Sequence, residues 1–279
     1  MNPSEFCTER AAPPGSSVYY ATLFHSPPDR RVLHACFAFL EEICRDLSTA
    51  TDPTPAGRRL LWWREQLEAG PMATSPHPIM VEMRALTFAA EEISRCLEPA
   101  IISALEELAG WQPEADAQWR SHCHALHAGL WQLAARGCAT ATDAGVTDRI
   151  GAIAAWSGQL QQVLELAPRT AAGRCPLPRT LLQSHGLDTF AGPGLLSKPG
   201  LPAAVREAVS EMRRGLIQCA TPGTEFCKGL PLFCRVLHLI NLTLCAQLQR
   251  QPELLLTQRV ALTPLRKLWI AWRQRASRG

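Results

Sequence analysis

The stretch FAFLEEICRDLSTATDP, residues 37–53, opens on an amphipathic pattern that predicts a helix, and three of its acids, Glu41, Glu42 and Asp46, fall within that pattern. Glu42 and Asp46 stand at i, i+4 spacing and share one helix face. Carboxylates set that way can hold a hard cation such as Mg²⁺, and through it a phosphate. The same acids can equally do no more than wet the outside of a helix, and Glu41, four residues before Arg45, suits an exposed ion pair. A second cluster, HCHALH over residues 122–127, sets Cys123 and His127 at i, i+4 and His124 and His127 at i, i+3. A zinc site needs further ligands, and without a second cluster elsewhere this segment reads as an ordinary helix. The chain has no GxSxG elbow, no GxxxxGK[ST] and no GxGxxG following a strand, which removes support for serine-triad catalysis and loop-based nucleotide binding.

The elements that must position these groups are helices. Apolar residues recur at helical spacing through most of the chain, while two tyrosines and few β-branched runs leave little from which to build strands, so the fold class is all-α. Asp29, after Pro27 and Pro28, is the expected N-cap of a helix whose core face carries Leu33, Cys36, Phe37, Leu40, Ile43 and Leu47. Further helices are expected over 58–70 with a stop at Gly70, over 79–110 with a break at Pro99, over 119–136, and over 143–167. Pro168 ends the last of these, because its ring would collide with the carbonyl of Leu164. A Gly- and Pro-rich stretch around a short helix follows, then helices over 202–219 and 230–250 and the final LTPLRKLWIAWRQR. Residues 1–15 read as a flexible N-terminal arm, and residues 16–279 as a single helical domain.

Composition limits the partners. A chain of 279 residues, 47% hydrophobic, can bury a large core, and a net charge of +3 gives no bulk attraction to nucleic acid. The N-terminal run lacks an apolar h-region and reads as neither signal peptide nor anchor. LPLFCRVLHLINLTLCAQL is interrupted by Arg235, His238 and Asn241, which suits a buried helix better than a transmembrane one. Eleven cysteines without a CxxC pair suit the reduced thiols of a soluble, cytoplasmic protein. The tail sets Trp269 and Trp272 among Arg266, Lys267, Arg273, Arg275 and Arg278, a mixture suited either to peripheral contact with an anionic inner-membrane surface or to a bundle cap with solvated arginines; the cap is the preferred reading.

Several strings then fit one family in order and spacing. SSVYYATLFHSPPDRR, FAFLEEI, LLWWREQL, HPI, GRCPLPRTLLQSHGLD and RVALTPLRKLWIAWR resemble the squalene/phytoene synthase family over roughly residues 16–273. The resemblance implies an isoprenoid-synthase-type helical bundle around a central apolar cavity, and an activity that condenses two prenyl diphosphates head to head. In that family Mg²⁺ is held between the diphosphates and two Asp-rich helix segments, since departure of a diphosphate needs its charge neutralised by hard cations.

Carried over residue by residue, the resemblance puts Cys44, Arg45 and Ser48 where the first segment's aspartates stand, and Glu41 where an arginine stands. Glu42 and Asp46 are displaced by two residues, about 200° around the helix, and are expected on a solvated face. In the second segment the aspartate positions fall on Glu165 and Arg169 with Pro168 between them, and Gly158 and Gln161 replace upstream polar side chains. Glu165 is the one candidate metal ligand that remains. Ser17, Tyr20 and Arg174 match positions near a diphosphate and are the candidate substrate-binding residues; each also has a structural use, Ser17 as a helix cap, Tyr20 as packing and Arg174 in an ion pair with a local carboxylate.

The resulting expectation is a family member that has lost Mg²⁺-dependent condensation and acts by binding, with no cofactor. Its partner would be an isoprenoid lipid or prenyl diphosphate, or a protein such as an active synthase or an assembly partner. The alternative is a working prenyltransferase that uses Mg²⁺ and forms a squalene- or phytoene-type product from farnesyl or geranylgeranyl diphosphate.

Overall fold

The computed structural model describes residues 2–69, 77–86, 88–138, 143–187, 192–220 and 229–276. Every regular element among them is a helix. In chain order these are α1 (Pro3–Ala11), α2 (Ser17–Thr22), α3 (Pro27–Thr49), α4 (Pro53–Glu68), α5 (Pro78–Ala85), α6 (Ala90–Leu108), α7 (Asp116–Gly137), α8 (Ala144–Leu164), α9 (Leu166–Ala171), α10 (Arg179–Ser184), a 3₁₀ turn (Pro193–Ser197), α11 (Leu201–Cys219), α12 (Leu232–Arg250), α13 (Leu254–Thr257) and α14 (Pro264–Ala276).

Near the N-terminus the described residues form a helix that the sequence reading did not expect. Asn2 and Glu5 form a capping box that starts α1, and Cys7 and Ala11 bury one side of it against α3 and α5. A short helix with a buried face stands where composition alone suggests a loose arm. The start of α3 also moves: Ser26, three residues before Asp29, is the cap, and Pro27 and Pro28 form the first turn, where a missing N–H costs nothing. Pro99 sits inside an unbroken α6, and the interruption falls instead between α5 and α6. The stop expected at Gly70 and the charge of Arg278 lie outside the described residues.

Tertiary packing brings α3, α7, α8 and α12 around one centre. Phe37, Trp131 and Phe233, from three of these helices, meet with ring centroids 5.7 to 6.0 Å apart. Helices α6 and α7 approach so closely that a Cβ on Gly129 would lie 2.1 Å from the carbonyl oxygen of Cys96, so only glycine fits there. Helix α12 is long and apolar enough by composition to cross a membrane. In this fold it is a core helix, with Arg235 and His238 buried and the His238 ring hydrogen-bonded to the Ala220 carbonyl at 2.8 Å.

Candidate functional site

The central cavity measures about 300 Å³. Its apolar wall comes from Phe37 and Leu40 of α3, Trp131 of α7, Leu160 and Leu164 of α8, and Leu237 and Leu244 of α12. Polar groups enter from Ser16 and Ser17 at the start of α2, from Arg10, Glu41, Gln161 and Arg259, and from Asn241, which donates to Ser157 Oγ at 2.8 Å.

On α3 the acids are not arranged as expected. Glu42 and Asp46 are buried rather than solvated. Glu42 lies 2.6 Å from Arg10 Nε and accepts from Arg45 at 2.7 Å, while Asp46 takes a two-pronged grip from Arg59 at 2.6 and 2.9 Å. Arg45 therefore pairs with Glu42, three residues back, and not with Glu41. A periodicity reading sets these acids opposite the apolar face of α3, but α1 and α4 supply arginines there and cover them. Glu41 alone of the three lines the cavity, where burial, and next the charge of Glu165, push its carboxyl above the usual range.

The three positions of α3 where aspartates are implied carry no carboxylate. Cys44 lines the cavity as a thiol that burial and then Glu165 hold protonated, with its pKa well above that of a free cysteine. Arg45 is turned to Glu42, and Ser48 donates to the Arg45 carbonyl of its own helix at 3.2 Å.

The second segment is built around an arginine. Helix α8 stops at Leu164, the residue whose carbonyl Pro168 cannot serve, and the chain resumes one residue later as α9 with Pro168 in its first turn. Helical structure thus continues beyond Ala167, bent at Glu165. That bend turns Arg169 inward until it is 1% exposed. Its guanidinium pairs with Glu107 of α6 and, through Nε at 3.2 Å, with Glu165. Burial alone would lower the Arg169 pKa, but the two carboxylates overcome that and raise it. Burial likewise pushes Glu107 up, and Arg169 followed by His122 outweighs it, so Glu107 stays ionised below its ordinary range. Glu165 also accepts from Gln161 at 3.0 Å, so each of its oxygens already has a donor.

The network extends behind the cavity. Glu107 receives a bond from Gln162 at 3.3 Å, Gln162 in turn accepts from Trp119 Nε1 at 2.6 Å, and His122 stands 3.4 Å from Glu107 with its ring stacked on Trp111 at 4.0 Å. Sequence reasoning missed Glu107. The signal was there: Ile93, Ala100 and Glu107 are spaced by sevens on α6, so an acid stands in the row of core residues.

A glycine completes the replacement of polar groups. A Cβ on Gly158 would lie 2.4 Å from the His127 ring, so the missing side chain is what lets that imidazole lie against α8. His127 is buried and faces the cavity, and burial lowers its pKa to about 3, leaving it neutral. The other residues of HCHALH do not converge with it: His122 belongs to the Glu107 network, Cys123 is in the core and His124 is exposed.

The candidate substrate-binding residues are dispersed. Ser17 lines the cavity, and the helix cap is its neighbour Ser16, which accepts from the Tyr19 amide at 3.0 Å. Tyr20 is buried edge-on to Tyr19. Arg174 donates to the carbonyls of Leu47 and Ala50 at 2.9 and 2.6 Å, tying the GRCPLP loop to the end of α3 through backbone oxygens rather than through a carboxylate.

With this geometry in view, comparison with known proteins is decisive about kinship. The family model of squalene/phytoene synthase matches residues 11–266. The chain belongs to the squalene/phytoene synthase family. No curated protein sequence matches it. Among solved structures it is similar to the squalene synthase HpnC from Alicyclobacillus acidocaldarius, at 14% identity and a TM-score of 0.68 over 89% of this chain and 94% of that one. A dehydrosqualene synthase with bound ligand aligns at 10% identity and a TM-score of 0.63 over 99% of both chains, and a TcSQS complex at 12% and 0.67 over 97% of this chain and 85% of that one. At such identities the likeness speaks for the isoprenoid-synthase fold.

The residues present do not fit the divalent cations that the family implies. Mg²⁺ requires hard oxygen ligands in near-octahedral array. Here Glu42, Asp46, Glu107 and Glu165 are each paired with an arginine, and a buried guanidinium stands within the second segment, where it would repel a cation. Among the described residues no group of three or more His, Cys, Asp or Glu side chains is placed to hold a metal ion.

Proposed function

We propose that this member of the squalene/phytoene synthase family acts by binding and has lost Mg²⁺-dependent head-to-head condensation. One observation carries the reading: Arg169, at an aspartate position of the second segment, is buried between Glu107 and Glu165. A fixed positive charge there does the neutralising that a metal ion would otherwise do, and it is covalently part of the chain. Removing the cation that stabilises a departing diphosphate costs several kcal/mol of transition-state stabilisation. The cavity retains apolar walls with Arg10, Glu41 and Arg259 among its polar groups, and its volume lies at the small end for ligand sites, which suits one isoprenoid-class ligand better than two prenyl diphosphates together.

A working prenyltransferase is the competing reading. One observation favours it: the charge of Glu165 helps raise the pKa of Glu41, an acid that lines the cavity. Incubation of the purified protein with farnesyl or geranylgeranyl diphosphate and Mg²⁺ separates the two. The binding reading expects no product above a Glu165→Ala control and no Mn²⁺ bound in an equilibrium titration, with an isoprenoid lipid recovered by mass spectrometry from the natively purified protein. Turnover that the Glu165→Ala substitution abolishes would reject it.

A further inference from the structure

Helix α14 presents to solvent what a soluble helix normally hides. Leu265 is 78% exposed, Leu268 37%, Trp269 53% and Trp272 58%. At about 100° per residue these side chains fall within one arc roughly 100° wide. The opposite face does the packing: Ile270 and Ala271 are buried, α14 rests on α2 and α12, and Lys267 turns inward to donate to the Gly15 carbonyl at 2.7 Å. The outward stripe is therefore left over after the helix has docked.

Charge says what covers it. Arg266 and Arg273 border one edge of the stripe and Arg275 the other, and α14 contains no acid. Two of these guanidiniums are held against rings, Arg273 over Trp269 and Arg275 over Phe24, each at 5.2 Å. We propose that α14 lies in the plane of an anionic lipid bilayer, with Leu265 and Leu268 at the acyl boundary, the two indoles at headgroup depth and the arginines on lipid phosphates. A second copy of the chain fits less well, because a two-fold contact through this face would bring arginines against arginines with no acid on the helix to meet them. The inference goes beyond the cavity reading and does not depend on it.

The test uses the full chain with vesicles of phosphatidylcholine alone and of phosphatidylcholine mixed with phosphatidylglycerol. Co-sedimentation with the mixed vesicles only, weakened by added salt and accompanied by a blue shift of tryptophan emission, is expected. Arg266→Gln with Arg273→Gln should weaken binding about thirtyfold, on the scale of one basic side chain near a charged surface taken twice. Trp269→Ala with Trp272→Ala should also release the protein, whereas Ile102→Ala, an exposed apolar site on α6, should not. If a tryptophan variant proves misfolded by circular dichroism, Leu265→Ser, at the most exposed position, takes its place. No sedimentation of the wild type, equal binding to neutral vesicles, or a tryptophan-dependent dimer in place of vesicle binding would each overturn the proposal.

Discussion

Arginine plays opposite parts in two regions of this protein. Around α3 and α9, Arg10, Arg45, Arg59 and Arg169 each meet a buried carboxylate, that of Glu42, Asp46 or Glu107. On α14, Arg266, Arg273 and Arg275 border an exposed Leu and Trp stripe on a helix without acids. The first set closes a site by satisfying its charges from within, and the second stands at the edges of an apolar stripe that the fold leaves exposed. The side chain is the same; what differs is the surroundings that each helix gives it.

Removing one half of the buried lock should produce the largest effect. Glu107→Leu leaves the Arg169 guanidinium desolvated with only partly exposed Glu165 beside it, and should cost about 3 to 5 kcal/mol in urea unfolding. Adding Arg169→Met should restore most of that, since two apolar groups of similar volume replace a buried pair at little cost. If the single change were neutral, the comparison would fail at its root.

Gly158→Ala tests the packing of the same region. Its Cβ would press on the His127 ring from 2.4 Å, so about 1 to 3 kcal/mol of destabilisation is expected. His127→Ala should relieve it, and the double variant should unfold closer to wild type than the two separate losses would sum to.

Part of the pH dependence follows from His127, and His34, whose pKa burial lowers to about 4, acts in the same direction. The His127 pKa falls from 6.5 to about 3 on folding, so the unfolded chain binds the proton first. The stability due to a neutral His127 is fully present above pH 6.5 and is lost as pH falls toward 3, with a slope of at most about 1.4 kcal/mol per pH unit. Glu107, whose pKa is depressed, adds to the loss at the acid end as it protonates. His127→Gln should flatten the slope between these limits in denaturation followed across pH.

The smallest effect belongs to α14. Leu265→Ser should change unfolding stability by no more than about 0.5 kcal/mol, since the side chain is 78% exposed. A large loss would mean that the stripe packs on the protein itself, and the contrast between the two regions would sharpen in the other direction.

Helix identity was legible in the apolar rhythm of α3, α7, α11 and α12, because a buried face imposes its period on any sequence that forms it. Once the family resemblance was recognised, it implied aspartates at Cys44, Arg45, Ser48 and Arg169, and their absence was legible because the identity of a residue is independent of its surroundings. What could not be read was where the remaining charges went. Arg169 and Glu107 are 62 residues apart, and nothing local in either predicts the other. Glu42 and Asp46 look like wetted acids until α1 and α4 cover them, and α1 itself looks loose until α3 and α5 give its one buried face somewhere to lie. Local pattern determined which helices form, because propensity and hydrophobic period act over a few residues, and the family resemblance implied which ligands are lacking. Only the tertiary structure decided that the leftover acids would be sealed by guanidinium groups and that the α14 stripe would remain outside, because burial and charge pairing depend on neighbours that the chain brings from far away.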